Sequence, residues 1–354
     1  MVFDVPAESG GALTILQDFY NDVVQSNNPE IEWYFVVGVP TLKNTANIEV
    51  LRFPWIKKSW FHRLFFDIII APKMISKFKI DKVLSLQNMI IPRLQCEQTL
   101  YVHQALPFID YKFSFNENKL FWIYQNIIGR GIIRSIKKAN QVIVQTEWMK
   151  KACVKIAGVN ESNIKVIAPK INITDPHYFE PTLNSISTFF YPANSMEYKN
   201  HSIIVEASKI VKEFLIDFNV FFTLKGDENP TISALKRQSV ENQLPIEFGG
   251  SLQRSDVFSY YSKSILLFPS YIETFGLPLV EAKLHRSIIF AADCPFAREI
   301  LEEYPNAYFF DPFNVDELVD LMKKVLEGEI GYKAINPNFE SHSENTSIVN
   351  LLAK

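Results

Sequence analysis

Two glutamates, eight residues apart, follow an apolar segment in the second half of the chain. Residues 265–268 read Ile-Leu-Leu-Phe, Glu273 lies in the segment after them, and Glu281 lies where the periodicity becomes helical. Pro278 suits the first turn of a helix, where its missing N–H costs nothing, so we predict a helix that begins near Leu277. Both carboxylates could therefore face one ligand, Glu273 from the loop and Glu281 from the helix. Two solvated surface glutamates would give the same pattern, and the pair alone leaves both interpretations open.

The backbone amides at the start of this predicted helix are a second chemical feature. The first N–H groups of a helix have no partner within it, and the helix dipole favours an anion at that end. The amides of Phe275, Gly276 and Leu277 therefore predict a phosphate-binding site. Gly276 would allow the ligand to approach the backbone closely.

The elements that must hold these residues follow a regular rhythm of short apolar runs and longer helical segments. This rhythm predicts an α/β fold with parallel sheets covered by helices. The runs are residues 33–37, 82–86, 99–102, 141–145 and 164–167 in the first half, and 187–191, 220–223, 246–248, 265–268 and 288–291 in the second. Only Val2 and Phe3 precede Asp4, so a first strand there is either short or begins before this sequence does.

Polar residues and prolines interrupt the rhythm at residues 172–184, which we interpret as a connecting segment. The expected organisation is a Rossmann-like domain at residues 1–182, a second Rossmann-like domain at residues 183–330, and a helical tail at residues 331–354 that packs back on the first domain. Two such doubly wound domains in tandem face each other across a cleft, and open α/β sheets bind ligands at the carboxyl ends of their strands.

Composition and charge exclude several classes of protein. Hydrophobic residues make up 47% of the 354 residues, which excludes a disordered chain. Three scattered cysteines without a Cys-x-x-Cys pair disfavour a zinc ribbon or a disulfide scaffold. No apolar run is long enough to span a bilayer, and the N-terminus lacks the pattern of a secretory signal, so we expect a cytoplasmic protein.

The segment around the two glutamates resembles the donor-site signature of family 4 retaining glycosyltransferases, which have the GT-B fold. The resemblance rests on Glu-x7-Glu with Phe-Gly-Leu-Pro inside it and on the flanking segments IEFGGSL, VFSYYSKSILLFPS, AADCPFAREIL and YFFDPFNVDELVDLM. It implies that Glu273 meets the donor sugar and that Glu281 binds the ribose hydroxyls of the nucleotide. Phe275, Gly276 and Leu277 would also belong to the donor site.

The segment YPANSMEYKNH at residues 191–201 resembles the family loop in which an arginine and a lysine grip the donor diphosphate. Lys199 matches the lysine, and Asn194 occupies the arginine position. Asparagine can donate hydrogen bonds but cannot neutralise charge, so this departure weakens the electrostatic grip. The combination Tyr-Pro-Ala with Lys-Asn-His is typical of a subgroup that builds bacterial surface polysaccharides.

Two segments of the first half also resemble the family. DVPAESGGALTIL, at residues 4–16, is similar to its glycine-rich loop and assigns that part to Gly10 and Gly11. TLYVHQALPF, at residues 99–108, is similar to the segment whose histidine approaches the donor sugar, which makes His103 a catalytic candidate with Glu273 and Lys199. A turn containing glycines and a structural histidine are the alternative interpretations.

Motifs that the chain lacks narrow the chemistry. It contains no Asp-x-Asp metal motif, no P-loop and no G-x-G-x-x-G fingerprint, which disfavours metal-dependent GT-A transferases, P-loop kinases and NAD enzymes. The resemblance implies a hexosyltransferase (EC 2.4.1.-) that moves a sugar from a UDP-, GDP- or dTDP-sugar to a saccharide or lipid-linked saccharide, without a cofactor or metal. A GT-B nucleotide-sugar 2-epimerase and a non-catalytic partner of an active transferase are the alternatives.

The charge is unevenly distributed along the chain. Residues 1–182 carry 21 Lys/Arg and 16 Asp/Glu, whereas the remainder carries 15 and 23. Nine of the basic residues and only two acids lie at residues 52–93, among tryptophans and phenylalanines. This mixture predicts peripheral binding to an anionic membrane at the inner face of the plasma membrane, although a solvated basic face is the simpler alternative. No nucleic-acid-binding motif accompanies it.

Overall fold

The computed structural model describes residues 1–8, 10–171, 173, 176–336 and 347–352. Residues 172, 174 and 175 of the predicted connecting segment, and residues 337–346, 353 and 354 of the predicted tail, lie outside the described residues. The chain divides into two compact units between Lys170 and Ile171, and the C-terminal helix Ile348–Leu352 belongs to the first unit. Among the described residues, no helix has the length and apolar character needed to cross a membrane.

The first unit is built on a sheet of seven parallel strands. They are β1 (Val2–Asp4), β2 (Trp33–Val37), β3 (Ile48–Arg52), β4 (Lys82–Ser85), β5 (Glu97–Tyr101), β6 (Gln141–Val144) and β7 (Ile164–Val166), in the order β3-β2-β1-β4-β5-β6-β7. The helices are α1 (Gly10–Ser26), α2 (Trp60–Phe65), α3 (Ala71–Lys77), α4 (Lys119–Ile123), α5 (Gly129–Lys138) and α6 (Glu147–Ala157). A π-helical turn joins α2 to α3 (Phe66–Ile70) and another joins α4 to α5 (Tyr124–Ile128).

Alternate residues of this sheet pack into two different cores. Val2 of β1 packs with α1, whereas its neighbour Phe3 packs with Phe66 and Ile75 on the opposite face. Helices therefore cover both faces, which explains why the central strands are apolar without alternation. Short 3₁₀ turns lie at Pro54–Lys58 and Glu161–Asn163.

The second unit contains six parallel strands. They are β8 (Thr188–Tyr191), β9 (Asn219–Phe222), β10 (Ile246–Phe248), β11 (Ile265–Phe268), β12 (Ile289–Ala292) and β13 (Ala307–Phe310), in the order β10-β9-β8-β11-β12-β13. The helices are α7 (Leu183–Ile186), α8 (His201–Lys212), α9 (Pro230–Glu241), α10 (Arg254–Tyr261), α11 (Leu277–Leu284), α12 (Pro295–Ile300) and α13 (Val315–Leu326). The C-terminal helix α14 (Ile348–Leu352) returns to the first unit and packs against α1. A 3₁₀ turn at Glu197–Lys199 precedes α8.

Both sheets have the strand order of a Rossmann-like, doubly wound domain, and the predicted α/β fold class with two such domains is confirmed. In each sheet the order reverses once, between β1 and β4 in the first and between β8 and β11 in the second. Ligands of open α/β sheets bind outside the carboxyl ends of the two strands that flank this reversal. The loops after β8 and β11 are therefore where the second unit should hold its ligand.

Candidate functional site

The loops after β8 and β11 carry two of the predicted catalytic residues. Lys199 ends the 3₁₀ turn Glu197–Lys199, and Glu273 lies in the loop between β11 and α11. These residues are 74 positions apart in sequence, yet the Lys199 ammonium and the Glu273 carboxylate form an ion pair. Their side chains are only 13% and 18% exposed, so the pair is poorly screened by solvent.

Ser270 is a third member of this cluster that sequence reasoning missed. Its hydroxyl donates a hydrogen bond of 2.8 Å to Oε1 of Glu273, the same oxygen that contacts Lys199. Two donors thus converge on one oxygen of the carboxylate. No signal in the sequence distinguishes this serine from other loop serines, because its role depends on the turn that places it beside Glu273.

Hydrogen bonds to backbone carbonyls hold the two loops in place. The Tyr191 hydroxyl donates to the Lys199 carbonyl at 2.7 Å, and the Tyr271 N–H donates to the Tyr198 carbonyl at 3.2 Å. Burial, with the negative charge of Glu273, raises the pKa of the Tyr191 and Tyr198 hydroxyls, so both stay neutral. The Asn200 amide donates to the Pro312 carbonyl at 2.7 Å and so ties the loop after β8 to the loop after β13.

Helix α11 begins where the sequence predicted, at Leu277, with Pro278 in its first turn. Gly276 precedes it in the left-handed region, with φ 88°, a conformation that favours glycine. A Cβ on Gly276 would lie 3.2 Å from the Leu279 side chain, so the turn is tightly packed on that side. Phe275 is buried beside it. This start of a helix has the N–H groups and the dipole that suit an anion.

Glu281 lies in the second turn of α11 and makes a separate set of contacts. Its carboxylate accepts a 3.1 Å hydrogen bond from the Tyr261 hydroxyl and lies 3.3 Å from Nη2 of Arg254. Burial raises the pKa of Glu281, and the opposing effects of Arg254 and Tyr261 do not fully compensate. Neither partner was predicted, because positions 20 and 27 residues away carry no periodic relation to Glu281.

Asn194 is exposed in the loop after β8. Its side-chain oxygen accepts a 3.1 Å hydrogen bond from the Met196 N–H, which shapes the loop. This contact occupies the acceptor of the amide and leaves its nitrogen to donate to a ligand. The residue cannot supply the positive charge of an arginine.

His201, directly after Lys199 and Asn200, was not predicted as a site residue. Its ring packs against Tyr191 and Phe222, with ring centroids 4.8 and 5.2 Å away. Burial, reinforced by the nearby Lys199, lowers its pKa to about 3, so the imidazole is neutral at physiological pH. His201 therefore serves as a packing residue at the start of α8.

The remaining predicted residues lie in the first unit. Gly10 and Gly11 are the first residues of α1, and Gly10 has a left-handed φ of 61°. His103 follows β5, and its Nε2 lies 2.9 Å from the Leu86 carbonyl. Because a carbonyl only accepts, Nε2 carries the proton and Nδ1 is the free acceptor. Burial lowers the pKa of His103 to about 4, which keeps the ring neutral.

The described residues contain no group of three or more His, Cys, Asp or Glu side chains arranged to hold a metal ion.

Known proteins resemble the chain in sequence and in structure. The O-antigen chain mannosyltransferase RfbU of Salmonella typhimurium is 25% identical over 274 residues, which is 76% of this chain and 70% of that protein. Anabaena Alr3699/HepE, solved with UDP and glucose, superposes with a TM-score of 0.65 at 15% identity and covers 93% of this chain and 89% of its own. Sucrose-phosphate synthase of Thermosynechococcus elongatus gives 0.70 at 11% identity and covers 92% and 89%.

At these identities the two solved structures establish the shared fold alone. A sequence model of a protein family, "Glycosyl transferases group 1", matches residues 184–342, which include Lys199, Glu273 and Glu281. The matched residues also include all six strands of the second sheet.

Proposed function

We propose that this protein is a family 4 retaining glycosyltransferase, which transfers a hexosyl unit from a nucleoside diphosphate sugar to a saccharide hydroxyl. The observation that carries the proposal is the contact between Lys199 and Glu273 at the strand-order reversal of the second sheet. The group 1 domain and the similarity to an O-antigen mannosyltransferase support it. The retaining outcome rests on the resemblance of the Glu-x7-Glu segment.

The chemistry follows from where charge develops. Cleavage of the bond between the sugar and the phosphate places positive charge on the sugar and negative charge on the diphosphate. Lys199 and the amides at the start of α11 stabilise the diphosphate, since preorganised donors aimed at developing charge lower a barrier most. In the free protein Glu273 holds Lys199 in place. When the donor binds, Lys199 contacts the phosphate and Glu273 contacts the sugar.

Glu281 has a different task in this scheme. Its carboxylate accepts hydrogen bonds from the ribose hydroxyls, and Arg254 and Tyr261 hold it in position. Because the ribose is remote from the bond that breaks, Glu281 affects nucleotide affinity more than the chemical step. Asn194 donates a hydrogen bond to the diphosphate, where the family pattern has a charged arginine.

Calorimetric titration with UDP, GDP and dTDP tests the donor site directly. We expect one of these nucleotides to bind the wild-type protein, and Glu281→Gln to weaken its binding at least tenfold. Glu241→Gln, an exposed glutamate at the end of α9, is the matched control and should bind as wild type does. If none of the three nucleotides binds, the donor site is wrong and a non-catalytic partner is the better interpretation.

Product analysis separates the transferase from an epimerase. A transferase releases the nucleoside diphosphate from its sugar donor, slowly to water and faster when a saccharide acceptor is supplied. A 2-epimerase instead interconverts nucleotide sugars with no acceptor, and that product would overturn the transferase proposal.

We expect activity to persist in excess EDTA, because the proposed site neutralises the diphosphate with an ammonium group and backbone amides. The measurement is nucleoside diphosphate release with and without the chelator. Loss of activity that manganese or magnesium restores would contradict a metal-free mechanism.

The acceptor belongs to the first unit in this proposal, and the surface of that unit is consistent with a lipid-linked acceptor. Helix α2 exposes four large apolar side chains, Trp60, Phe61, Leu64 and Phe65, the second of them at 83%. Exposed Lys58, Lys73 and Lys77 lie on the same stretch of chain. We propose that this stretch binds an anionic membrane, since apolar insertion and cationic attraction together suit an interfacial helix.

The structure also restricts which basic residues can take part. Arg63 is only 16% exposed and pairs with Asp67, and Lys57 pairs with Glu8. The helical segment formed by α4, the π-helical turn Tyr124–Ile128 and α5 also exposes two large apolar side chains, Leu120 and Ile127. The chain crosses the first sheet in the same direction from β3 to β4 as from β5 to β6. Because such crossovers are right-handed, the helical segments in these two connections lie on the same face of the sheet.

A further inference from the structure

The loop between β9 and α9 lies beside the proposed donor site, yet it contains none of the predicted site residues. Strands β8 and β9 pair in parallel, and their last residues, Tyr191 and Phe222, are partners in the register. The loops that follow the two strands therefore leave the same edge of the sheet side by side. Because the first of these loops carries Asn194 and Lys199, the second can influence how they are held.

A carboxylate orders this second loop from within. The side chain of Glu228 accepts hydrogen bonds from the N–H groups of Lys225 and Gly226, at 2.6 and 3.0 Å. Desolvation alone would raise the pKa of Glu228, but hydrogen bonds from the backbone of residues 225–228 outweigh it and lower that pKa. The carboxylate is therefore ionised at neutral pH and keeps its hold on the loop.

Helix α9 fixes the same loop from outside. Lys236 of this helix donates a 2.6 Å hydrogen bond from its ammonium group to the Lys225 carbonyl. A Cβ on Gly226 would collide with the Lys236 side chain, so glycine leaves room for this contact. Gly226 also has a left-handed φ of 92°, which favours glycine. The loop is thus a firm support for whatever it contacts.

Asn229 ends this loop and uses both polar atoms of its side-chain amide. Its Oδ1 accepts a 2.9 Å hydrogen bond from the Ile232 N–H and so caps α9 at its N-terminus. Its Nδ2 donates a 3.0 Å hydrogen bond to the Ser195 carbonyl in the loop after β8. Capping needs only the acceptor, and aspartate caps a helix as well as asparagine does. The donor of Asn229 therefore serves the contact between the two loops.

The residue that Asn229 holds directly follows Asn194 in the chain. The Asn194 side chain is fixed on its other side by the Met196 N–H, which donates to Oδ1 at 3.1 Å. The Lys199 N–H in turn donates to the Met196 carbonyl at 3.0 Å. Residues 194–196 are therefore held by a hydrogen bond among themselves and by Asn229 from the neighbouring loop.

Positioning matters more for Asn194 than for an arginine, which the family pattern has at this place. A positive charge attracts a diphosphate over several ångströms, whichever way the side chain points. A neutral amide contributes through a hydrogen bond, which weakens steeply when its geometry is poor. The Asn194 amide can therefore assist the proposed reaction only when its loop aims it at the phosphates.

We propose that Asn229 is a positioning residue, which aims the Asn194 amide at the donor diphosphate by holding the Ser195 carbonyl. The inference rests on the proposed function, because it takes the ligand of Asn194 to be a nucleoside diphosphate. Asn229 itself does not contact that ligand. Its effect on nucleotide binding passes through Asn194, and this dependence can be measured.

Asn229→Asp separates positioning from capping, because aspartate keeps the acceptor but has no donor when ionised. Asn229→Ala removes both. The ligand is whichever of UDP, GDP and dTDP binds the wild-type protein, and calorimetry at neutral pH measures its affinity. We expect both variants to weaken binding by roughly threefold to tenfold, which corresponds to about one hydrogen bond. Asn229→Ala should lower the midpoint of thermal unfolding more than Asn229→Asp does, since it also removes the cap.

A double-mutant cycle tests whether the effect passes through Asn194. Asn194→Ala should weaken binding by a similar factor, and adding Asn229→Asp to it should change the affinity by less than roughly twofold. Asn160→Asp is the matched control, because Asn160 is an exposed asparagine of the first unit whose Oδ1 caps the 3₁₀ turn Glu161–Asn163. It should bind the nucleotide as the wild-type protein does.

The outcomes separate this inference from the proposed function. Wild-type affinity in Asn229→Asp with weaker binding in Asn229→Ala would assign Asn229 to capping alone and overturn the inference. Additive effects in the cycle would also overturn it, because the two residues would then act independently. In both cases the wild-type protein still binds its nucleotide, and the transferase proposal stands. A wild-type protein that binds none of the three nucleotides would reject the proposed function and this inference together.

Discussion

At the scale of single residues, the ion pair of Lys199 and Glu273 makes the sharpest prediction. Glu273→Gln and Lys199→Met should each lower turnover by roughly 10²- to 10³-fold, since removing one preorganised contact costs about 2.7–4 kcal/mol of transition-state stabilisation. Initial rates of nucleoside diphosphate release measure the effect. Glu241→Gln and Lys151→Met, both exposed, are the matched controls. Near wild-type turnover in either site variant would remove these residues from the mechanism.

Asp4 makes a prediction about stability and pH. Its pKa is about 8 in the folded protein, against about 3.9 in an unfolded chain. Between these values the folded state binds more protons, so the wild-type protein loses stability as the pH rises, by up to about 1.4 kcal/mol per pH unit from this group. Asp4→Asn cannot ionise and escapes that loss.

The stability gain of Asp4→Asn should therefore be small at pH 5 and grow steadily toward pH 8, as measured by denaturant unfolding at both values. Other titrating groups, including His103 and His201, are common to both proteins and cancel in the difference. A difference that does not change with pH would show that the Asp4 carboxyl group is not shifted by burial.

A site residue could be predicted when it lies in a recognisable sequence motif, and not when its role depends on tertiary packing. Lys199 and Glu273 could be predicted because each lies in a recognisable loop motif, and the structure brings them into contact. Arg254 and Tyr261 could not, because their relation to Glu281 exists only after α10 packs beside α11. The burial of Asp4 could not be predicted either, because an aspartate after a short apolar run is typical of a turn.

At the scale of elements, the left-handed Gly276 allows a controlled comparison. Gly276→Ala and Gly328→Ala both force alanine into a left-handed φ, of 88° and 80°, which costs roughly 1–2 kcal/mol of folding free energy. The new methyl group at position 276 would also lie 3.2 Å from the Leu279 side chain, whereas no atom of the described residues lies within 4 Å of the methyl group at position 328. We therefore expect similar or greater destabilisation at 276, and loss of nucleotide affinity at 276 alone.

Denaturant unfolding and calorimetry with the nucleoside diphosphate measure the two effects separately. Equal nucleotide affinities in the two variants would contradict a role for the Gly276 turn in the donor site.

The strands differ in how well the sequence predicts them. Central strands such as β11, buried along its whole length, follow directly from their apolar runs. The runs did not single out β3 and β13, which are edge strands of the two sheets. In β3 only Ile48 is fully buried, and in β13 only Phe310 is. The other two edge strands, β7 and β10, were predicted from residues 164–167 and 246–248, so edge position alone does not decide which strands the sequence reveals.

Helix α2 shows why amphipathic periodicity can mislead. Its apolar and polar residues alternate with helical spacing, and the usual interpretation would bury Phe61 and Phe65. The structure turns Arg63 inward instead and buries Phe66, the first residue of the π-helical turn that follows α2. The sequence determines which residues share a face of a helix. Which of these faces packs against the protein depends on the elements that surround the helix in the tertiary structure.

At the scale of the whole molecule, the proposed membrane binding through the first unit starts from the charge asymmetry between the halves of the chain. Each lysine near an anionic bilayer contributes about 1 kcal/mol, and this attraction is screened by salt. Insertion of the exposed aromatic residues adds an apolar contribution that salt does not screen. The two contributions can therefore be separated by variants of each type.

Sedimentation with phosphatidylglycerol-containing vesicles makes that separation. Wild-type binding should fall steeply between low and high salt, and replacing Lys58, Lys73 and Lys77 with serine should abolish most of the salt dependence. Phe61→Ser with Leu64→Ser should lower binding at every salt concentration, because it removes the apolar contribution alone. Leu215→Ser with Val240→Ser is the matched control, since these side chains are 93% and 70% exposed on the second unit. Equal binding to neutral and anionic vesicles, or none to either, would reject the membrane surface and leave the transferase proposal to its own tests.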